Sequence, residues 1–181
     1  MIVPEPFFIP RGTPFSVRGR LKALSALGHH VDVATYHIGN DISLPNIQIY
    51  RTPWIPWVRS VAIGPSLTKI FLDLLLFGVA LIRLTTGRYD VIHTHEEAGL
   101  MGTVLARWAK VQHLYDMHSS LSQQLANFKA YNYRPIAKFF EVLEGLVIRR
   151  ADAVITICPE LSKRVAAIDK DCPCFLIENT I

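Results

Sequence analysis

Between residues 13 and 27, Val17, Leu21, Leu24 and Leu27 recur at the spacing of one helical face. Thr13 can cap this helix, Pro14 suits its first position, and Gly28 stops it. The period then changes. "HVDVATY" (30–36) alternates as a strand, and "IQIYRT" (47–52) reads as a second. Residues 53–65, with three prolines and two tryptophans, form an irregular loop, and a helix follows from 66 to 84. "YDVIHTH" (89–95) is a strand and 98–110 a helix. "HLYDMH" (113–118) is a strand, after which the residues beyond Ser119 turn helical and 136–151 forms a long amphipathic helix. "DAVITIC" (152–158), a short helix at 159–167 and "CFLIEN" (174–179) complete the series.

Apolar strands alternating with helices of ten or more residues predict a parallel sheet covered on both faces: a doubly wound, Rossmann-like α/β fold in a single domain, 1–181. Ligands of such sheets bind beyond the C-terminal ends of the strands. The loops to inspect are therefore 10–13, 93–97, 118–122 and 158–161. Only Met1, Ile2 and Val3 precede Pro4, whereas a central first strand is expected to run five or six residues. A clipped or misassigned start is the expectation.

Half of the residues are apolar and 19% charged, a composition that argues against disorder. The 19 basic and 15 acidic residues give a net charge of +4, spread along the chain without a basic stripe, which argues against a nucleic-acid binder. Cys158, Cys172 and Cys174 form no C-x-x-C pair and suit reduced thiols in a cytoplasmic setting. "MIVPEPFFIP" has no basic segment leading into a long apolar core, so it does not read as a secretory signal. The apolar run 70–82 is too short and too interrupted by Asp73 to span a bilayer. Together with Trp54 and Trp57 it suits either ordinary packing or peripheral contact with the inner face of a membrane.

Four loops carry candidate chemistry. Gly12 stands before a helix N-terminus, where free N–H groups and the helix dipole favour an anion, although a Gly-Thr-Pro turn also makes an ordinary cap. Neither G-x-G-x-x-G nor G-x-x-x-x-G-K-[ST] is present, which disfavours a nicotinamide-dependent oxidoreductase. In "HTHEEAG" (93–99), His93 reads as a core residue, while His95, Glu96 and Glu97 project into the cleft. A metal would need third and fourth ligands that the spacing does not supply, so no metal is expected and substrate hydrogen bonding is the use assigned. In "YDMHSS" (115–120), His118 and two serines lie at the mouth of the sheet, with helix capping by Ser119 or Ser120 as the plainer reading. No G-x-S-x-G elbow accompanies them. Pro159 and Glu160 read as cap chemistry.

In order, "PRGTPFSVRGRLKALSALGHHVDVAT", "YDVIHTHEEAGLMGTVLA", "HLYDMHSS", "ADAVITICPELSKRV" and "IENTI" resemble the N-terminal domain of family 4 glycosyltransferases, retaining enzymes with two Rossmann-like domains. The resemblance covers essentially the whole chain. It implies transfer of a glycosyl group from a nucleoside diphosphate sugar, used as co-substrate without a cofactor, to a sugar or lipid-linked acceptor. By the same resemblance Gly12 and Thr13 approach the donor diphosphate, His95, Glu96 and Ser119 line the substrate side, and His118 is the catalytic residue against the transferred sugar. The family's donor domain carries two Glu eight residues apart behind an Arg and Lys five apart, and neither pair occurs here: eight after Glu144 is Asp152. The chain is thus expected to be the acceptor-side half, inactive until a C-terminal donor domain completes it in cis or in trans. The rival reading is a non-catalytic nucleotide- or protein-binding Rossmann module.

Overall fold

A computed structural model of the chain describes residues 1–9, 12–61, 66–120 and 134–178. Seven strands and five helices alternate among them, and the paired strands within each of two compact units run parallel, as the apolar pattern predicts. The units are Met1–Arg88 and Tyr89–Ile181.

The first unit holds β1 (Ile2–Val3), α1 (Gly12–Ala26), β2 (Val31–Thr35), β3 (Ile47–Arg51) and α2 (Leu67–Thr86). β2 lies between β1 and β3, with Ile2 opposite Ala34 and Val33 opposite Ile49. Val3, Phe7, Val17, Leu21 and Val33 are fully buried together, so the helical face read from the sequence does meet the strands. Leu27 does not join them; it is 73% exposed. The reason is the helix ending. Gly28 takes φ +82°, its N–H bonds to Ser25 O and that of His29 to Leu24 O, a reversal that ends the helix at Ala26 and turns Leu27 outward. The helix also starts one residue before the predicted cap: Gly12 is already helical, and Thr13 and Pro14 lie inside the first turn, where a missing N–H costs no intrahelical bond.

Loops at the C-terminal ends of these strands are tied by one side chain. The Arg51 guanidinium donates to Phe7 O at 2.7 Å, Tyr36 O at 3.1 Å, Ile38 O at 3.2 Å and the Asp41 carboxylate at 2.6 Å. α2 is capped by Ser66, whose Oγ accepts from Lys69 N, and it buries Leu72, Leu76 and Ala80. Tyr36 Oη donates to Asp73 Oδ1 at 2.6 Å, so the acid that interrupts the apolar run is bonded to the end of the β2 segment. Arg83 lies over the Tyr50 ring.

The second unit holds β4 (Val91–His95), α3 (Ala98–Ala109), β5 (Gln112–Met117), α4 (Arg134–Arg150), β6 (Ala153–Thr156), α5 (Pro159–Ile168) and β7 (Cys174–Leu176) in strand order β4-β5-β6-β7. Its core joins Tyr115, Met117, Val147, Ile148, Val154, Leu161 and Val165. β6 and β7 are shorter than the apolar runs suggest, because Cys158 already caps α5 and Ile177 only donates one bond to Thr156 O beyond the last strand. α3 rests on small residues: a Cβ at Gly102 would stand 2.3 Å from His113 Nε2, and one at Gly99 would stand 2.8 Å from Tyr115 and Val147. The helix expected after Ser119 falls on 121–133, outside the described residues, as does the end of "IENTI". The three cysteines are free.

Candidate functional site

Alternation along two neighbouring strands builds the site. In β4, His93 and His95 share one face, and in β5 Asp116 is the register partner of His95, so its side chain falls on that same face. Thr94 points the other way and meets His113, Oγ1 to Nε2 at 2.7 Å. His118, one residue past β5, turns back toward the row. The outcome is a compact cluster of three imidazoles around one carboxylate. His93 Nε2 lies 3.4 Å from Asp116 Oδ2, His95 Nδ1 3.7 Å from the same oxygen, and His118 Nε2 3.2 Å from Oδ1. His95 Nδ1 and His118 Nε2 are 3.1 Å apart, and the His93 and His95 rings stack at 4.7 Å. All four residues are buried, His95 and Asp116 completely.

Burial fixes the charges. Desolvation first, and the neighbouring His93 second, push the His95 pKa well below the ordinary imidazole value, so His95 is neutral at neutral pH. For Asp116, desolvation works to raise the pKa, but hydrogen bonding from His118 and His93 outweighs it and holds the carboxyl well below the usual range. An ionised Asp116 accepts only, so the His118 nitrogen that faces it, Nε2, is the one that donates. His118 Nδ1 and His95 Nε2 have no hydrogen-bond partner among the described residues. Two polar ring positions are thereby open to a partner from outside them.

Around this cluster the substrate-side residues named from the sequence are brought together. Glu96, directly after β4, takes φ +51°, uncommon for a residue with a Cβ, and its N–H reaches Asp116 O at 3.3 Å. That backbone turn directs the Glu96 carboxylate to Ser119, whose Oγ donates to Oε2 at 2.8 Å. Ser120 donates to Glu144 Oε2 at 2.8 Å, and the fully buried Glu144 is paired with Arg164. The two serines are therefore engaged by carboxylates, and their hydroxyls link the end of β5 to α4 and to the turn after β4.

Gly12 and Thr13 stand in the first unit, at the N-terminus of α1. Gly12 is exposed with φ +32°, and no atom lies within 4 Å of where its Cβ would be. The first turn of α1 contains no acidic residue. Pro159 and Glu160 occupy the first turn of α5, consistent with a capping role.

Asp116 is the residue that sequence reading passes over. It sits inside an apolar strand, and only the pairing of β4 with β5 shows it to be the centre of the group. Its position also supplies the third potential ligand that spacing alone could not place: one atom each from His93, His95 and Asp116 falls within 4.8 Å of the others, a donor set that suits a divalent cation.

Comparison with known proteins adds two findings. The model of the glycosyl transferase 4-like domain matches residues 11–170. Among solved structures, the chain is similar to sucrose-phosphate synthase from Thermosynechococcus elongatus, with a TM-score of 0.73 at 19% identity, over 99% of this chain and 47% of that one. At that identity the likeness shows the fold, which is the Rossmann-like α/β class. The chain spans about half the length of the structure it matches. Comparison with curated proteins gives no match.

Proposed function

Because the chain belongs to the glycosyl transferase 4-like domain family, we propose that it supplies the acceptor-side half of a retaining transferase that moves a sugar from a nucleoside diphosphate sugar to an acceptor. The observation that carries this reading is the buried His93, His95, Asp116 and His118 cluster at the C-terminal ends of β4 and β5, where ligands of parallel sheets bind. The reading as a half is supported by the length of chain shared with the solved relative.

In this reaction the glycosidic bond to phosphate breaks as the acceptor oxygen bonds to the same face of the sugar, through an oxocarbenium-like transition state, and the nucleoside diphosphate leaves with the acceptor proton on its phosphate oxygen. His118 faces the sugar and accepts a hydrogen bond from one of its hydroxyls through Nδ1. Asp116 acts through His118: it holds the Nε2 tautomer and adds negative potential behind the ring as positive charge develops on the sugar. His95 Nε2 offers an N–H to the substrate, and Glu96, kept in place by Ser119, receives a hydroxyl. Gly12 and Thr13 meet the diphosphate at the start of α1. We read the cluster as a proton-holding network, its ring nitrogens and carboxylate oxygens lying 3.1 to 3.7 Å from one another.

The experiment uses the longest polypeptide that carries these residues, assayed against a panel of nucleoside diphosphate sugars for transfer and for slow donor hydrolysis. His118→Ala is expected to lower turnover by about 100-fold or more, with donor binding kept. Asp116→Asn should lower turnover less and alter its pH profile. Unchanged turnover in His118→Ala would favour the non-catalytic binding module instead.

A further inference from the structure

α2 is apolar on both of its long faces. Leu72, Leu76 and Ala80 are buried, yet Leu67, Ile70, Phe71, Leu74 and Ile82 are 85, 57, 46, 67 and 60% exposed. At about 100° per residue these five fall within an arc of about 120°, diametrically opposite the buried three. Beside them in the chain, the loop before α2 exposes Trp54 by 74% and Trp57 by 78%, each next to an exposed proline. Seven large apolar side chains exposed along one helix and its leading loop exceed the scattered hydrophobics that a protein surface carries by default.

The charges of this segment are predominantly of one sign. Between Thr52 and Arg88 the sequence has four cationic residues, Arg59, Lys69, Arg83 and Arg88, and one acid, Asp73. Asp73 is bonded to Tyr36. Arg59, two residues beyond Trp57, and Arg88, just past the end of α2, lie toward the two ends of this segment. An apolar helix face preceded by tryptophans and flanked by cations at both ends matches the interface of a bilayer with anionic headgroups. No helix among the described residues is long and apolar enough to cross a membrane, so this geometry is one of lying on the surface.

We propose that the first unit docks on the surface of an anionic lipid bilayer through the outward face of α2 together with Trp54 and Trp57. The surface carries this inference by itself, and it holds whether or not the transferase reading does.

The test is flotation of the 181-residue chain with phosphatidylcholine vesicles, with and without phosphatidylglycerol. Binding is expected with the anionic vesicles and should weaken as salt rises. Trp54→Ala with Trp57→Ala, at positions too exposed to disturb the core, should reduce partitioning by about tenfold or more. Brominated lipid should quench the fluorescence of the unaltered protein, and the Trp54→Phe, Trp57→Phe variant, which retains Trp108, should show no quenching. Failure to float, partitioning indifferent to the substitutions, or quenching that survives in the phenylalanine variant would overturn the proposal. So would a self-association that Leu74→Ser abolishes in a chain that ignores vesicles, which would identify a second copy as the cover.

Discussion

Helices α2 and α3 both lie against parallel strands, and they meet them at different depths. α3 presents Gly99 and Gly102, and its neighbours rise to fill the space: Tyr115, Val147 and His113 stand where a Cβ would be. α2 meets its strands through Leu72, Leu76 and Ala80, ordinary side-chain packing, and at its Gly78 no atom lies within 4 Å of where a methyl group would stand. The difference follows what each helix supports. α3 connects the two strands that carry the histidine cluster, and its close approach presses on the reverse side of the same strands through Thr94, His113 and Tyr115. α2 gives up such closeness and keeps a second apolar face outward.

The largest expected break in this comparison is Gly102→Ala. The new Cβ would stand 2.3 Å from His113 Nε2 and 2.5 Å from Thr94 Cγ2, so strand side chains must move. Stability is expected to fall by about 3 kcal/mol, read as a lower urea midpoint at unchanged slope.

Next comes pH. Desolvation by burial lowers His113 to about 4, against an ordinary 6.5, while Asp152 only partly opposes this. The folded pKa is depressed, so between these values the unfolded chain binds a proton that the folded chain refuses. The stability associated with neutral His113 is therefore whole above about pH 6.5 and declines as pH falls toward about 4, by about 3 kcal/mol at the limit. His95, also depressed by burial, acts in the same direction. Denaturation midpoints at several pH values check the sign, and His113→Gln should flatten the dependence over that window.

The smallest effect has the opposite sign. Gly78→Ala puts a methyl group into open space on a helix, and removing a glycine from a helix interior is worth about 1 kcal/mol. A modest rise in thermal midpoint is expected. A loss comparable to that of Gly102→Ala would mean that the two helices do not differ as described.

Much of this architecture is legible from periodicity. The helix-strand alternation and the loops at strand ends that carry His95, Glu96, His118 and Ser119 follow from runs of apolar residues broken by polar ones. What cannot be read is anything decided by pairing between strands. Asp116 looks like an interruption of an apolar strand, because its meaning depends on lying opposite His95. His93 reads as core and is indeed buried, but it is buried against that carboxylate. Leu27 fits the helical face and yet leaves it, because a glycine ending overrides the pattern one residue earlier. Ser119 and Ser120 have the composition of caps, yet both hydroxyls donate to carboxylates that are distant in sequence.

The in-register pairing of His95 with Asp116 bears on how such a site can change. His93, His95 and Asp116 are each placed by a backbone ladder that does not need the other side chains, whereas His118 stands one residue beyond it. A scaffold of this kind separates position from chemistry. The register of the strands is thus independent of which side chains they carry.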